Sequence, residues 1–107
     1  MISPPSKATL KKYGLSLLDW EALYISQDGK CPCGKLLERR TCIDHFHVKG
    51  WKKMKPDERR KYVRGLTHWN CNFYFLRRGM TASVALGIAK YLDKFDMNRL
   101  KGLGLIK

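Results

Sequence analysis

The chain has 107 residues, enough for one compact domain with a modest hydrophobic core. Its 22 Lys and Arg residues outnumber 9 Asp and Glu residues, and the net charge of +13 predicts a polyanionic partner, with nucleic acid as the leading candidate. We find neither an apolar run long enough to span a membrane nor a secretory signal. We therefore expect a cytoplasmic protein, whose 4 cysteines are metal ligands or free thiols rather than disulfides.

The N-terminal part of the chain predicts an arm followed by a helix. Residues 1–13 hold two prolines and a cluster of lysines, so we predict an irregular basic arm. Ser16 followed by Asp19 is a variant of the capping box and predicts a helix over residues 17–27, which the next Asp-Gly pair ends. Helical spacing places four apolar side chains on one face of this helix: Leu17, Trp20, Leu23 and Tyr24.

The middle of the chain predicts a pair of strands with a long connection. Residues 41–48 are rich in β-forming side chains, so we predict a strand there and a return strand over residues 63–66. Between them, the Pro-Asp-Glu run at residues 56–58 predicts the first turn of a short basic helix. We expect the following helix to begin near Asn70 or Asn72.

The C-terminal part predicts one amphipathic helix. Thr81 and Ser83 are both candidate N-caps for a helix that runs to about residue 95. Residues 97–107 are basic, and we expect them to fray. With no repeat or low-complexity segment, residues 1–107 predict a single α+β domain that is mostly helical. The side chains expected to be buried on the C-terminal helix are Val84, Ile88, Tyr91, Leu92 and Phe95.

Two pairs of Cys and His residues flank the predicted strands. Cys31 and Cys33 lie in a predicted tight turn before the first strand, and His68 and Cys71 follow the second. Thiolate and imidazole ligands in paired spacing favour a closed tetrahedral zinc site. We therefore predict structural zinc at these four residues. Two alternatives stay open: a fifth candidate ligand in Cys42, and a His68 that only makes hydrogen bonds in the core.

A second group of polar residues carries harder donor atoms. Asp44, His45 and His47 lie in the first predicted strand, and Asn72 lies near the start of a later helix. Carboxylate and amide oxygens suit Mg²⁺, and a neighbouring imidazole suits a base that activates water. The pattern therefore predicts a hydrolytic metal site. The alternative is a set of polar side chains at a solvated strand edge.

The connection between the two strands is strongly basic. A run of charge is usually a solvated face, but this run lies beside the candidate catalytic strand, so we predict contacts to DNA phosphates. For Trp51, which lies within this connection, we expect one of two roles: stacking on an unpaired base, or filling the core beneath the loop. The predicted DNA contacts are Lys49, Lys52, Lys53, Lys55, Arg59, Arg60, Lys61 and Arg64, and the same surface could extend to Arg39, Arg40, Arg77 and Arg78.

The order of ligand pair, strand, return strand, ligand pair and helix resembles the phage recombination endonuclease VII family. These are Holliday-junction resolvases of the HNH, or ββα-metal, superfamily. The similarity covers roughly residues 13–79 and is specific through the combination of its motifs rather than through any one of them. The matching residues are Tyr13-Gly14-Leu15-Ser16, Trp20-Glu21-Ala22-Leu23, Gly29-Lys30-Cys31 to Gly34, Ile43-Asp44-His45-Phe46-His47, and Val63-Arg64-Gly65-Leu66 leading into Cys71-Asn72.

The resemblance implies a Mg²⁺- or Mn²⁺-dependent endonuclease that resolves four-way junctions. It assigns Asp44 and Asn72 to the catalytic ion and His45 to the general base, with His47 orienting the phosphate or supporting His45. It also implies a distorted strand end, because Asp44 and His45 have to reach one phosphate. A zinc-stabilised ββα-metal (HNH) core with flanking helices would cover residues 14–79, followed by a helix and tail over residues 80–107.

The resemblance further implies a homodimer in the cytoplasm of a phage-infected bacterial host. The helices over residues 17–27 and 81–95 are the candidate interface, although packing within one monomer is an equal alternative. The sequence departs from the family at the single residue between Cys31 and Cys33, at His68 in place of a thiol, and at Phe75 in place of an acid. Other functions that fit are a monomeric HNH nickase on duplex DNA, a non-catalytic zinc-stabilised nucleic-acid-binding module and a basic ribosome-associated protein.

Overall fold

The computed structural model describes residues 2–76, 80–94 and 97–105, without the side chains at positions 97, 99 and 100. The fold is α+β, about half helical, with one two-stranded antiparallel sheet. The elements are α1 (Lys7–Lys12), α2 (Leu17–Ser26), β1 (Thr41–His45), a 3₁₀ turn (Trp51–Lys53), α3 (Pro56–Arg59), a second 3₁₀ turn (Arg60–Tyr62), β2 (Val63–His68), α4 (Trp69–Cys71) continued by a π-helix (Asn72–Leu76), α5 (Ala82–Asp93) and α6 (Met97–Gly102).

The N-terminal arm contains a helix, so its prediction as an irregular segment is wrong for Lys7–Lys12. The prolines lie just before the helix rather than inside it, and the Ser6 hydroxyl accepts a hydrogen bond from the Thr9 backbone N–H at 3.2 Å. The helix buries Leu10 in the core. The composition of the arm did not indicate that Leu10 packs in the core.

Helix α2 begins as its capping box predicts. The Asp19 N–H donates to the Ser16 hydroxyl at 3.1 Å, and the Ser16 N–H donates to the Asp19 carboxylate at 2.8 Å. Trp20 is fully buried, but Leu17 is 48% exposed, so the buried face of the helix is narrower than predicted.

Strands β1 and β2 pair with an irregularity at the end of β1. The register pairs Ile43 with Leu66 and Asp44 with Gly65, and then shifts so that His45 pairs with Val63. This bulge confirms the expected distortion between Asp44 and His45. Arg64 is the extra residue of β2 at this point, and β1 ends at His45, short of the predicted 41–48.

A hydrogen-bonded glutamine joins α2 to the sheet. The Gln27 side chain donates to the Leu66 carbonyl and accepts from the Leu66 N–H, each at 2.7 Å. The absence of a side chain at Gly65 makes room for this glutamine, since a Cβ at that position would lie 2.5 Å from the Gln27 Oε1. The small core around this contact consists of Leu10, Trp20, Cys31, Leu37, Ile43 and Leu66.

The C-terminal helix begins at the predicted cap but does not bury the predicted face. The Thr81 hydroxyl accepts from the Val84 N–H at 3.2 Å. Tyr91 is 75% and Leu92 64% exposed, and Val84 and Ile88 are exposed as well. The prediction of burial is therefore wrong for these four side chains, and Phe95 lies outside the described residues. Amphipathic spacing defines an apolar face but not the element that covers it.

The segment predicted to fray also contains a helix, α6, over Met97–Gly102. Across the described residues, none of the helices has the length and apolar character needed to cross a membrane.

Candidate functional site

The two predicted pairs of zinc ligands meet in space. Ligand atoms of Cys31, Cys33, His68 and Cys71 all lie within 4.8 Å of one another, and Cys42 is outside this group. The His68 Nδ1 lies 3.4 Å from the Cys33 Sγ and 3.8 Å from the Cys71 Sγ. In a tetrahedral zinc site, metal bonds of about 2.0–2.3 Å place ligand atoms about 3.5–3.8 Å apart. The cluster therefore fits a metal ion such as zinc.

Hydrogen bonds orient the cluster from both sides. The Gly34 N–H donates to the Cys31 carbonyl at 2.8 Å, which closes the predicted turn. The His68 N–H donates to the Cys31 Sγ at 3.3 Å, and the His68 Nε2 lies 2.7 Å from the Leu36 carbonyl oxygen. A carbonyl only accepts, so the Nε2 carries the proton and the Nδ1 presents its lone pair to the thiols. His68 is therefore hydrogen-bonded and also placed as a ligand.

The electrostatics of the thiols favour binding of a cation. A backbone hydrogen bond from Lys35 lowers the pKa of Cys33 to about 7. Burial, together with the neighbouring thiols, raises the pKa of Cys71 to about 12. The group therefore forms one thiolate readily and resists a second, because like charges repel at this distance. A bound dication removes that repulsion and holds the thiols deprotonated.

Asp44 forms an ion pair near the end of β1. Its side chain is 5% exposed, whereas that of Arg64 is 35% exposed. The Arg64 Nε lies 2.7 Å from one carboxylate oxygen and the Arg64 Nη2 lies 3.0 Å from the other. Such a bidentate pair fixes both oxygens in one plane. Sequence reasoning assigned Arg64 to DNA and did not find this partner, because many arginines in the chain are equally plausible partners for one acid.

His45 is held within a stack of aromatic rings. Its imidazole lies 3.8 Å from the Trp51 ring, centroid to centroid, and the two planes differ by 8°. The His47 ring lies 4.9 Å away at 27°, so His45 and His47 share a side of the strand as predicted. Burial lowers the pKa of His45, and the nearby His47 lowers it further. Both effects favour the neutral imidazole that a general base requires.

The Asn72 side chain lies near β1, beside Cys42. Burial raises the pKa of the Cys42 thiol, and a hydrogen bond with the Asn72 side chain opposes this shift. Cys42 and Asp44 are two residues apart in β1 and so face the same way. Asn72 also begins the π-helix, an irregularity that is common at functional sites. The hairpin and the following helix therefore bring Asn72 towards the strand that carries Asp44.

The basic connection divides into two groups of side chains. Arg59 donates to the carbonyls of Trp51, Lys52 and Lys12 at 3.2, 3.1 and 3.3 Å, and Arg60 pairs with Asp19 at 2.6 Å. With Arg64 bound to Asp44, all three arginines contact other parts of the protein; these contacts favour a structural role, and their role as DNA contacts stays a prediction. The lysines of the connection remain predicted DNA contacts, because all are exposed: Lys49, Lys52, Lys53, Lys55 and Lys61.

The suggested extension of this surface is described only in part. Arg39 and Arg40 are exposed, and the Arg40 guanidinium lies over the Trp69 ring at 4.7 Å. Arg77 and Arg78 fall outside the described residues.

Comparison with known proteins identified no relative. No protein-family model, curated protein or solved structure matches the chain, so the resemblance to the endonuclease VII family depends on its motifs alone.

Proposed function

We propose that the chain is a Mg²⁺- or Mn²⁺-dependent, structure-selective DNA endonuclease with a zinc-stabilised ββα-metal (HNH) core. The observation that carries the proposal is the order of its parts: a Cys/His cluster joins the start of β1 to the end of β2 and the helix that follows. The hairpin carries Asp44 and His45, and Asn72 follows the last cluster residue in the chain; the family resemblance assigns these three residues to catalysis. A protein that only binds nucleic acid needs the cluster and the charge but not these three side chains.

The chemistry of phosphodiester hydrolysis suits these residues. Water attacks phosphorus, one P–O ester bond breaks, the base takes the proton that the water loses, and the leaving oxygen takes a proton from solvent. The neutral, partly buried His45 imidazole is the candidate base, and His47 stacks against it. Exposed lysines of the connection supply positive charge for the DNA backbone without reading its sequence. The arrangement therefore favours selection by DNA shape over selection by base sequence.

Asp44 and Asn72 are the proposed ligands of the catalytic ion. Their carboxylate and amide oxygens fit Mg²⁺ or Mn²⁺, and such an ion stabilises charge on the phosphate oxygens when bound. Both Asp44 oxygens already accept hydrogen bonds from Arg64. The ion therefore has to compete with Arg64 for the carboxylate. Phe75, where the family tends to have an acid, is 60% exposed and adds no ligand.

We further propose that the enzyme acts as a homodimer on branched DNA. Resolving a four-way junction requires two symmetric incisions, and one active site per chain makes a twofold dimer the simplest solution. The exposed apolar face of α5 supports an interface there: Val84, Ile88, Tyr91 and Leu92. Sedimentation that shows only monomer at micromolar concentration would instead favour the nickase on duplex DNA.

A non-catalytic nucleic-acid-binding module is the second candidate. The observation in its favour is the Asp44–Arg64 pair, since a carboxylate that only stabilises the hairpin needs no ion. In that case the cluster would maintain the fold while the exposed lysines hold the nucleic acid.

One cleavage assay separates these functions. Purified protein is incubated in Mg²⁺ or Mn²⁺ with a labelled four-way junction and with a linear duplex of matched sequence, beside a His45→Ala variant. We expect paired nicks in the junction alone, lost in the variant while its zinc content and junction binding persist. Equal cutting of both substrates would identify the general nickase. Tight binding with no cutting in either ion would refute the endonuclease and favour the binding module.

A further inference from the structure

Trp51, in the connection between the two strands, packs against two other rings of the protein. Its indole lies nearly parallel to the His45 imidazole at 3.8 Å, and the Tyr13 ring lies 6.0 Å from it. It belongs to the 3₁₀ turn Trp51–Lys53 and lies six residues after His45, so the chain has to turn back for the two rings to stack. The fold therefore brings the basic connection back onto the end of β1, at the residue proposed as the general base.

We propose that Trp51 is the positioning residue for His45, an inference that rests on the proposed function. The lone pair of an imidazole nitrogen lies in the plane of the ring, so a base works only when that plane points at the proton. A parallel indole allows the imidazole to slide or turn within its plane but not to tilt out of it. The stack therefore fixes the plane in which His45 takes a proton.

Arg59 holds Trp51 in this position. Its guanidinium lies 5.3 Å from the centre of the Trp51 ring and donates to the Trp51 carbonyl at 3.2 Å. The same group donates to the carbonyls of Lys52 and Lys12, which ties the turn to α1. A planar fork with several donors suits this task better than a single ammonium group. A tryptophan anchored through its own backbone is a fixed surface for His45.

The sequence also allowed Trp51 to stack on an unpaired base of DNA. That use requires a free ring face, and the structure places His45 at stacking distance on the ring together with Arg59 and Tyr13 around it. The contacts within the protein therefore favour positioning of His45 over contact with a base. Direct contact with DNA becomes an outcome that the experiment can detect.

Two variants of Trp51 test the proposal. Trp51→Phe keeps an aromatic face, whereas Trp51→Leu keeps apolar volume without one, and zinc content verifies that each variant is folded. The first readout is the proton NMR spectrum of the His45 ring, which a parallel indole shifts upfield. We expect Trp51→Phe to retain most of that shift and Trp51→Leu to lose it. This measurement does not depend on cleavage.

The second readout is the kinetics of junction cleavage. Misplacing a base by about 1 Å costs up to about 100-fold, so we expect Trp51→Leu to lower kcat by about 10- to 100-fold. KM should stay within about twofold, because the ring contributes to the transition state and not to substrate binding. Trp51→Phe should recover most of kcat.

The outcomes separate this proposal from the proposed function. An unchanged His45 spectrum in Trp51→Leu would refute the stack even if the wild type cleaves junctions. A raised KM with unchanged kcat would refute positioning and identify Trp51 as a DNA contact. A wild type that cuts no DNA in Mg²⁺ or Mn²⁺ would refute the proposed nuclease activity. The stack would then have no catalytic role, even if the NMR measurement detects it.

Discussion

Loss of one exposed thiol should destabilise the whole domain through the metal. Cys33→Ser is the informative change because Cys33 is exposed, so the variant removes a ligand without opening a cavity. Cys31 would be a poor choice, since it belongs to the small buried core. Cys42→Ser is the matched control, because that free cysteine lies outside the cluster.

The expected loss follows from linkage between binding and folding. Zinc that binds only the folded state stabilises it by about 4 kcal/mol when free zinc exceeds Kd about 1,000-fold. For a domain of this size each kcal/mol corresponds to about 4–8 °C in Tm, so removing zinc should lower Tm by about 15–30 °C. Among the residues that the structure describes, the buried core has six hydrophobic members, one of them the ligand Cys31, so little else compensates.

The assay combines metal analysis with thermal unfolding. Wild type and Cys42→Ser should each carry bound zinc, and chelation should remove the zinc and lower the Tm of both. Cys33→Ser should start near the Tm of the chelated wild type and change little when chelator is added. Stoichiometric zinc and an unchanged Tm in Cys33→Ser would refute the site. So would an equal loss in Cys42→Ser, because that residue has no ligand role.

Two further predictions concern charge. Lys61→Ala should reduce the slope of log K against log salt for DNA binding by about 0.9, the value for one phosphate contact. Its neighbour Arg60 pairs with Asp19 and holds the pKa of that carboxyl well below its usual range, so Arg60→Ala should lower Tm and leave the slope unchanged. Equal slope changes would contradict the internal role of Arg60. Burial lowers the pKa of His45 below its ordinary 6.5, so the acidic limb of kcat/KM for junction cleavage should lie below pH 6.5. The folded state binds its proton less readily, so the contribution of this group to stability is present above pH 6.5 and is lost as pH falls through the lowered pKa. A limb centred above pH 6.5 would contradict His45 as the base.

Features controlled by near neighbours were readable in the sequence. The Ser16–Asp19 capping box and the Thr81 cap depend on residues three positions apart, and both form as predicted. The paired spacing of the Cys and His ligands also indicated the cluster before any geometry was known. The two caps are predictable because the chain is short between the interacting groups, so few alternative partners compete.

The choice of distant partners was decided by tertiary structure. Arg64 meets Asp44 because β1 and β2 pair in the hairpin, and Trp51 stacks on His45 because the segment between them turns back. The amphipathic pattern of α5 was read correctly as a helix but wrongly as a buried one. Periodicity defines which side chains share a face. What that face meets depends on the packing of the rest of the chain, which no local pattern encodes.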